Sequence, residues 1–336
     1  MQEAEERAFD RGVSAADLME QAGRGMFAAI RQFFPEPGTA VLYLGKGNNG
    51  GDALVAARFL HETGWRIRAR LSAPADQLKP LPLGHFKTLE GIIEIAESPL
   101  TAADLPAGRV LLLDGLLGIG ARGPLSPALA ALAAEMNRLR RDGHARVAAI
   151  DLPSGLDGDT GIPQPDCVQA DVTLTVAQVK TGLVADAAIN HVGRLVLIPL
   201  PELAANSEDT ATLLEPRVLR PLLPRRPFET HKNQAGRLLI VAGSPGYLGA
   251  AELACRGALQ AGAGMVTLAV NAAVYPLLAA RVPPEVMVRP VQSYGEALEL
   301  SHDAAVIGPG LGRSADAEIH GLAAGLAAPF VLDADA

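Results

Sequence analysis

Short apolar runs that alternate with helix-like stretches are the feature that most constrains this fold. The runs at 41–44, 110–113, 147–150 and 195–198 are continuous rather than alternating. Continuous runs are typical of strands covered on both faces, as in a parallel sheet. Two further strands are expected at 65–71 and 172–176. The pattern therefore predicts an α/β fold of the doubly wound kind.

The stretches between these strands carry helix start and stop signals. Ser14 precedes an apolar stripe with helical spacing, and Pro35 follows it. Ser126 and Pro127 open a second helical stretch that runs to Arg141. Serine before the first turn and proline within it are common at helix starts. The stripe of the first helix consists of Leu18, Met19, Ala22, Met26 and Ile30.

A second alternating series begins after a segment without periodicity. Residues 201–227 contain several prolines and arginines, which indicates a linker between domains at 1–200 and 228–336. Strands are expected at 238–241, 265–270, 304–307 and 330–332, with a helix at 250–261. Because the sequence stops at Ala336 directly after a strand, we expect the second domain to be incomplete.

Composition excludes several classes of function. The net charge of -8 and the aromatic content of 4% argue against nucleic-acid binding, which concentrates basic residues on one face. No apolar run approaches the ~20 residues of a membrane helix, so we expect a cytoplasmic protein without a membrane partner. Cys167 and Cys255 show no metal-ligand spacing, which argues against zinc and disulfides. A small-molecule substrate is expected, and a homo-oligomer is compatible with the sequence.

A glycine-rich loop is the sharpest local feature. Gly45-Lys46-Gly47-Asn48-Asn49-Gly50-Gly51-Asp52 follows a predicted strand and precedes a helix expected at 53–63. Glycines allow positive φ angles and close backbone approach, and the helix N-terminus offers free N–H groups to an anion. The alternative is an ordinary tight turn, since glycine and asparagine dominate turns.

The same loop satisfies G-x-G-x-x-G, so an NAD-dependent dehydrogenase is an alternative. Its fingerprint requires an acidic residue at the end of the second strand, and Leu71-Ser72-Ala73 supplies none. Asp52 would also place negative charge where a pyrophosphate should bind. No Walker loop occurs in the sequence.

Two aspartates end the next predicted strands. Asp114 and Asp151 each lead into a glycine-containing loop. In open α/β sheets the ligand crevice lies beyond the carboxyl ends of the strands, so these loops should converge with the glycine loop. Asn49, Asp114 and Ser154 would supply hard oxygen ligands that suit an alkali or alkaline-earth cation. The alternative is that both aspartates only cap turns.

Four ordered motifs together resemble the NAD(P)H-hydrate epimerases over about residues 1–200. They are the segment 18–23, the glycine loop with the following 55–58, Asp114 with its loop 118–120, and the segment 151–157. The resemblance implies a Rossmann-like fold. One departure is Ala53, where many members have glycine, and another is the abrupt start at Met1.

The resemblance also implies roles for individual residues. The potassium ligands would be Asn49, Asp114 and Ser154, and Asp151 would contact the hydrated nicotinamide. The hydrated cofactor would be held by two loops, namely Asn48, Asn49, Gly50, Gly51 and Asp52, and Gly118, Ile119, Gly120, Ala121, Arg122, Gly123 and Pro124.

The second series resembles the ribokinase-like NAD(P)H-hydrate dehydratases. The motifs are at 231–237, 242–244, 249–251, 261–264, 308–312 and 333–336. The resemblance implies Ala251 and Gly310 as substrate contacts and ADP as a cofactor. The family's later Gly-Asp loop, which supplies the catalytic carboxylate and the ADP site, does not occur before Ala336. We therefore do not expect this chain to dehydrate the hydrate.

The expected function is epimerisation of the R and S forms of hydrated NADH and NADPH, with Asp151 as acid and base. A dehydrogenase and a non-catalytic nucleotide-binding module are the alternatives. Lys180, just past the strand at 172–176, is either a phosphate-binding point charge or an ordinary surface lysine. His61, His85, His144 and His191 are scattered, so solvated or packing roles are expected.

Overall fold

The computed structural model describes residues 2–106, 108–203, 213–214, 216–223, 225–333 and 335–336. The chain divides into two compact units, 1–213 and 214–336. Part of the predicted linker, residues 204–212, 215 and 224, lies outside the described residues, as does Ala334 of the last motif.

The first unit is built on a sheet of parallel strands in the order β3-β2-β1-β4-β5-β6-β7. The order reverses between β1 and β4, as in doubly wound folds. The fold-class prediction is confirmed for this unit. The strands are β1 Thr39–Leu44, β2 Arg66–Leu71, β3 Glu94–Ile95, β4 Val110–Gly115, β5 Arg146–Ile150, β6 Val172–Val176 and β7 Arg194–Ile198.

Two helices of this unit precede β1, and the others follow β1, β2, β4 and β6. They are α1 Gln2–Asp10, α2 Ala15–Phe33, α3 Asn48–Glu62, α4 Pro80–Thr88, α5 Pro127–Arg141 and α6 Ile189–Val192. Helix α2 begins as predicted, because the Ser14 side chain accepts a hydrogen bond from the backbone N–H of Asp17 at 3.0 Å. Its predicted apolar stripe is buried.

The glycine loop differs from its prediction in two ways. Helix α3 begins at Asn48 rather than at residue 53, so five of the eight residues of the expected loop belong to the helix. None of its four glycines has a positive φ. Close backbone approach, not left-handed geometry, is what this loop requires of glycine.

Both faces of the first sheet are buried, which explains the continuous apolar runs. Leu42 packs into the core with α2 and α3, whereas Val41 and Tyr43 pack into a second core with α5. A buried ion pair crosses the second core, where Arg70 Nε lies 3.2 Å from Glu135 Oε1. The Tyr43 hydroxyl donates to the same oxygen at 2.8 Å, and burial together with this carboxylate raises the Tyr43 pKa above its usual range.

The second unit has a five-stranded parallel sheet in the order β10-β9-β8-β11-β12. Its strands are β8 Arg237–Val241, β9 Met265–Asn271, β10 Val286–Val291, β11 Ala304–Ile307 and β12 Phe330–Leu332. Its helices are α7 Pro216–Leu219, α8 Leu248–Ala261, α9 Tyr275–Ala279 and α10 Asp316–Gly325. The fold class, an α/β domain with a parallel sheet, is confirmed here too.

Several elements were not predicted. Helix α4 contains Pro80, Pro82 and Gly84, which interrupt a helical pattern although proline is tolerated in a first turn. Strand β10 contains Pro290 and lies at the edge of its sheet, where proline does not interrupt a ladder. In the part of the chain that the structure describes, no helix combines the length and apolar character that crossing a membrane requires.

Candidate functional site

A cavity of about 790 Å³ lies at the carboxyl ends of the strands of the first unit. Residues that follow β1, β2, β4, β5 and β7 line it, together with side chains of α1 and α2. The loops after β1, β4 and β5 meet there because these strands are neighbours in the sheet.

The structure places most of the predicted substrate-binding residues of this unit at the cavity. Five others do not line it: Gly50, Gly51, Arg122, Gly123 and Pro124. Those that line it are Asn48, Asn49, Asp52, Gly118, Ile119, Gly120, Ala121 and Asp151.

Gly45 and Gly47 have different surroundings. A Cβ at residue 45 would lie 1.8 Å from the carbonyl oxygen of Leu116, so only glycine lets the loops after β1 and β4 meet. A Cβ at residue 47 would meet nothing within 4 Å. Gly47 therefore leaves room at the cavity and precedes the first turn of α3, and the N-terminus of a helix is a place where an anion can bind.

Asn49, which lines the cavity, is joined with Asp114 and Ser154 in one hydrogen-bonded network. The Ser154 hydroxyl donates to Asp114 Oδ1 at 2.7 Å, and the Ser154 backbone N–H donates to Oδ2 at 2.7 Å. Asn49 Nδ2 donates to the Leu117 carbonyl at 2.9 Å, while the Leu117 N–H donates to the Ser154 hydroxyl at 3.0 Å. The predicted cation ligands are thus close together.

Asp114 is fully buried, and burial raises its pKa to about 6 against the opposing hydrogen bonds from Ser154 and Leu116. None of the ion pairs found among the described residues includes Asp114. A buried carboxylate without a cationic partner is costly. Among the described residues no group of three or more His, Cys, Asp and Glu side chains could hold a metal, so a cation here would rest on mixed oxygen ligands.

Asp151 lies at the end of β5 in a left-handed conformation, with φ 65°. Its backbone N–H donates to the Leu174 carbonyl at 2.9 Å, and its Oδ1 accepts from the Val176 N–H at 3.2 Å. Its side chain is 13% exposed and lines the cavity. The carboxylate is therefore held by β6 while it faces the space where a ligand would bind.

Lys180 forms an ion pair with Asp151 Oδ1. Its ammonium also donates to the Thr175 hydroxyl and to the Val176 carbonyl, each at 3.0 Å. Only 5% of the side chain is exposed, so the surface-lysine alternative is wrong. Lys180 does not line the cavity, and its donors point at Asp151 rather than at a phosphate position. Sequence reasoning placed this lysine near the crevice and missed its partner.

Positive charge at the cavity comes instead from two other lysines. Lys46 and Lys79 line it beside Ser72, at the end of β2. Lys46 Nζ donates to Gln77 Oε1 at 2.7 Å. Sequence reasoning missed Lys79 because it precedes the unpredicted helix α4.

One wall of the cavity is apolar, and sequence reasoning also missed it. It is formed by α1, α2 and the segment after β7, and its members are Phe9, Ala15, Leu18, Met19, Ala22, Leu200 and Leu203. Leu203 is buried with the first core, so residues 201–203, which fall in the predicted linker, pack with the first unit.

Arg122 does not line the cavity and pairs with two aspartates. Its guanidinium lies 2.7 Å from Asp159 and 3.6 Å from Asp157, so it joins the loop after β4 to the loop after β5. His191 fits the packing role expected of it, since its Nδ1 lies 3.1 Å from the Val168 carbonyl oxygen.

In the second unit, Ala251 and Gly310 lie on neighbouring parts of the fold. Ala251 is fully buried in α8, and a Cβ at Gly243 would lie 3.0 Å from its Cβ. Gly310 has φ 64°, and a Cβ there would lie 2.8 Å from the Cβ of Ala250. The loop after β11 therefore packs directly on the start of α8, and the methyl group of Ala251 is a packing contact.

The first unit is a Rossmann-like α/β fold with a cavity at the carboxyl ends of its strands. Residues 15–182 match the family model described as YjeF-related protein N-terminus. Residues 238–336 match the model described as NAD(P)H-hydrate dehydratase.

Proteins described as bifunctional NAD(P)H-hydrate repair enzymes are similar over almost the whole chain. The protein from Gloeobacter violaceus is 37% identical, with 100% of this chain and 68% of the relative covered. The Coxiella burnetii protein is 34% identical, with 94% of this chain and 64% of the relative covered. The Escherichia coli protein is 33% identical, with 90% of this chain and 58% of the relative covered. The chain belongs to this family. It spans about 58–68% of the length of these relatives.

A solved structure is similar to part of the chain. The ADP/ATP-dependent NAD(P)H-hydrate dehydratase of Bacillus subtilis is 31% identical, with 36% of this chain and 45% of that chain covered and a TM-score of 0.33.

Proposed function

We propose that the first unit interconverts the R and S forms of hydrated NADH and NADPH. The observation that supports this most is the position of Asp151. Its carboxylate lines the same cavity as the start of α3 and residues Gly118, Ile119 and Gly120, so one ligand can touch the acid and both glycine loops.

The chemistry needs one proton-transfer group beside a developing positive charge. In the hydrate, the carbon that bears the hydroxyl is also bonded to the ring nitrogen. A proton from the Asp151 carboxyl group lets the hydroxyl leave as water, and the nitrogen lone pair forms an iminium-like cation. Water then adds to the opposite face and returns the proton to Asp151. The carboxylate both shuttles the proton and stabilises the cation.

The rest of the cavity suits the remainder of the substrate. The N–H groups at the start of α3 and the ammonium groups of Lys46 and Lys79 would bind the phosphates. The apolar wall of α1 and α2, which includes Leu18 and Met19, would cover the rings and keep water away from the reacting carbon.

Asn49, Asp114 and Ser154 fit a potassium ion. The site offers one buried carboxylate without a cationic partner among the described residues, one hydroxyl, and amide and carbonyl oxygens. Such a hard, weakly charged oxygen set suits a large monovalent cation. When bound, potassium would neutralise Asp114 and fix the loops after β1, β4 and β5 against one another.

Dehydration of the hydrate, which the sequence analysis did not expect of this chain, is a second candidate function. Residues 238–336 match the dehydratase model, and the relatives are named bifunctional. The name of the Bacillus subtilis protein points to ADP or ATP as the co-substrate of such a reaction.

The dehydrogenase alternative is not favoured. Strand β2 ends at Leu71 and is followed by Ser72, which lines the cavity without a carboxylate. The ribose diol of NAD would lack its usual acidic partner there.

The test incubates the purified protein separately with the R hydrate, with the S hydrate, and with NAD⁺ plus short-chain alcohols. Each mixture is followed by chromatography and at 340 nm. Interconversion of the hydrates is expected. Reduction of NAD⁺ without interconversion would support a dehydrogenase, and binding without turnover a nucleotide-binding module.

A further inference from the structure

The two carboxylate oxygens of Asp151 differ in their hydrogen bonds because only one of them is paired with Lys180. Oδ1 accepts hydrogen bonds from the Val176 N–H and from the Lys180 ammonium. Among the residues that the structure describes, no donor bonds to Oδ2. One oxygen is therefore anchored, and the other is available to a ligand in the cavity.

Lys180 is placed to act on Asp151 and on nothing else in the cavity. All three donors of its ammonium are used, on Asp151, Thr175 and Val176. Asp151 is its carboxylate partner, and the other two acceptors are neutral. A buried ammonium that lost this partner would be left without compensation, so the charge of Lys180 and the position of Asp151 depend on each other.

The backbone conformation of Asp151 is uncommon for a residue other than glycine. Its φ of 65° lies in the left-handed region, which persists in a non-glycine residue when the surrounding structure enforces it. Ala177 also has a positive φ, 59°. It follows Thr175 and Val176, which contact the ion pair, and precedes Lys180. Two left-handed residues thus bring the end of β5 and the segment after β6 together around one ion pair.

We infer that Lys180 is a positioning residue for the epimerisation reaction. It clamps Oδ1 of Asp151, compensates the charge of the carboxylate between proton transfers, and leaves Oδ2 as the atom that exchanges the proton with the substrate. This inference rests on the proposed function of the first unit.

The test compares Lys180→Met, Lys180→Arg and the control Lys87→Met in the full chain. Lys87 is an exposed lysine in the last turn of α4 and does not line the cavity. Loss of an orienting partner typically costs about 10–100-fold, so Lys180→Met should lower kcat by that factor with KM changed by less than about threefold. Lys180→Arg keeps the charge and should recover at least part of the lost kcat. Lys87→Met should match the wild-type protein.

Thr175→Val is a second variant that tests the inference if Lys180→Met fails to fold. This change removes one acceptor of the Lys180 ammonium but keeps both charges and the side-chain volume. It should lower kcat severalfold at constant KM. Cooperative thermal unfolding of each variant shows which ones are folded.

The outcomes separate the inference from the proposed function. A wild-type protein that does not interconvert the hydrates contradicts the proposed function, and with it the role of Lys180. An active wild-type protein with a folded Lys180→Met variant whose kcat equals that of Lys87→Met overturns the inference alone. If Lys180→Met does not fold, an unchanged kcat in folded Thr175→Val overturns it. A rise in KM at constant kcat would place Lys180 in ligand binding, and this too would contradict the inference.

Discussion

At the scale of single residues, Asp151 combines an uncommon backbone conformation, an ion pair and a position at the cavity. It is left-handed, paired with a buried lysine, and faces the cavity. The sequence placed it at a strand end, since Ile150 closes an apolar run and Pro153 follows. Its ion pair with Lys180 was not predictable, because it depends on a turn after β6 whose positive φ falls on Ala177, a residue type that gives no signal of it.

We predict that Asp151→Asn abolishes interconversion of the hydrates while the protein remains folded. Asparagine keeps the shape, still offers an oxygen to the Lys180 ammonium and the Val176 N–H, and tolerates the left-handed backbone. It removes the charge that compensates Lys180, which should lower stability without unfolding the protein. It also cannot shuttle the proton, and loss of such a group costs about 10²–10⁴-fold. Asp166→Asn is the matched control, since Asp166 is exposed and also has a positive φ, 62°. Near-normal turnover by Asp151→Asn would contradict the catalytic role and show that Asp151 only caps the end of its strand.

The cation network makes a separate prediction. Ser154→Ala removes a hydroxyl that contacts Asp114 and Leu117 and would contact potassium. The potassium concentration for half-maximal activity should rise about 10–100-fold, measured by titrating KCl at constant ionic strength with choline chloride. Activity that does not respond to potassium in either protein would exclude the proposed site.

At the scale of elements, what was predictable followed from periodicity and caps. The strands at 41–44, 110–113 and 147–150 and the Ser14 cap of α2 are where the sequence indicates them. The start of α3 was not predictable, because Asn48, Gly50 and Gly51 favour turns in isolation. These residues become helical where α3 packs against α2, β1 and β4, and a Cβ at Gly51 would lie 2.6 Å from the Met19 side chain.

The glycine loop gives a matched pair of substitutions. Gly45→Ala forces a methyl group against the Leu116 carbonyl, 1.8 Å away, and should destabilise the protein by about 1–3 kcal/mol, the usual cost of overpacking. Gly47→Ala has open space and a φ of -92°, so it should unfold like the wild type and raise KM for the hydrate. Urea denaturation and steady-state kinetics measure both. Equal stability of the two variants would contradict the described contact between the loops.

At the scale of the whole molecule, the candidate epimerase site belongs to one unit. Every residue that lines the cavity precedes residue 204, and the first unit has its own cores on both faces of its sheet. The predicted division of the chain rested on the loss of periodicity after residue 200. That signal could not show that Leu203 completes the cavity wall, because a single leucine in an irregular segment carries no pattern.

A shortened chain that ends at Leu213 should therefore keep epimerase activity. We expect kcat and KM within about twofold of the full chain, since a compact unit with its own core can function alone. Ending the chain at Leu200 instead removes Leu203 and should impair both folding and activity. Loss of activity on shortening to Leu213, with cooperative unfolding retained, would show that the second unit contributes to the site.

The most direct test of the central claim is the rate at which the purified full chain converts the isolated R hydrate into the S hydrate. The hydrates are separated by chromatography, and the same measurement starts from pure S. We expect both directions to reach one common ratio, faster than the uncatalysed reaction by a factor that Asp151→Asn lowers about 10²–10⁴-fold. A wild-type rate no greater than that of buffer, with the protein folded and potassium present, would contradict it.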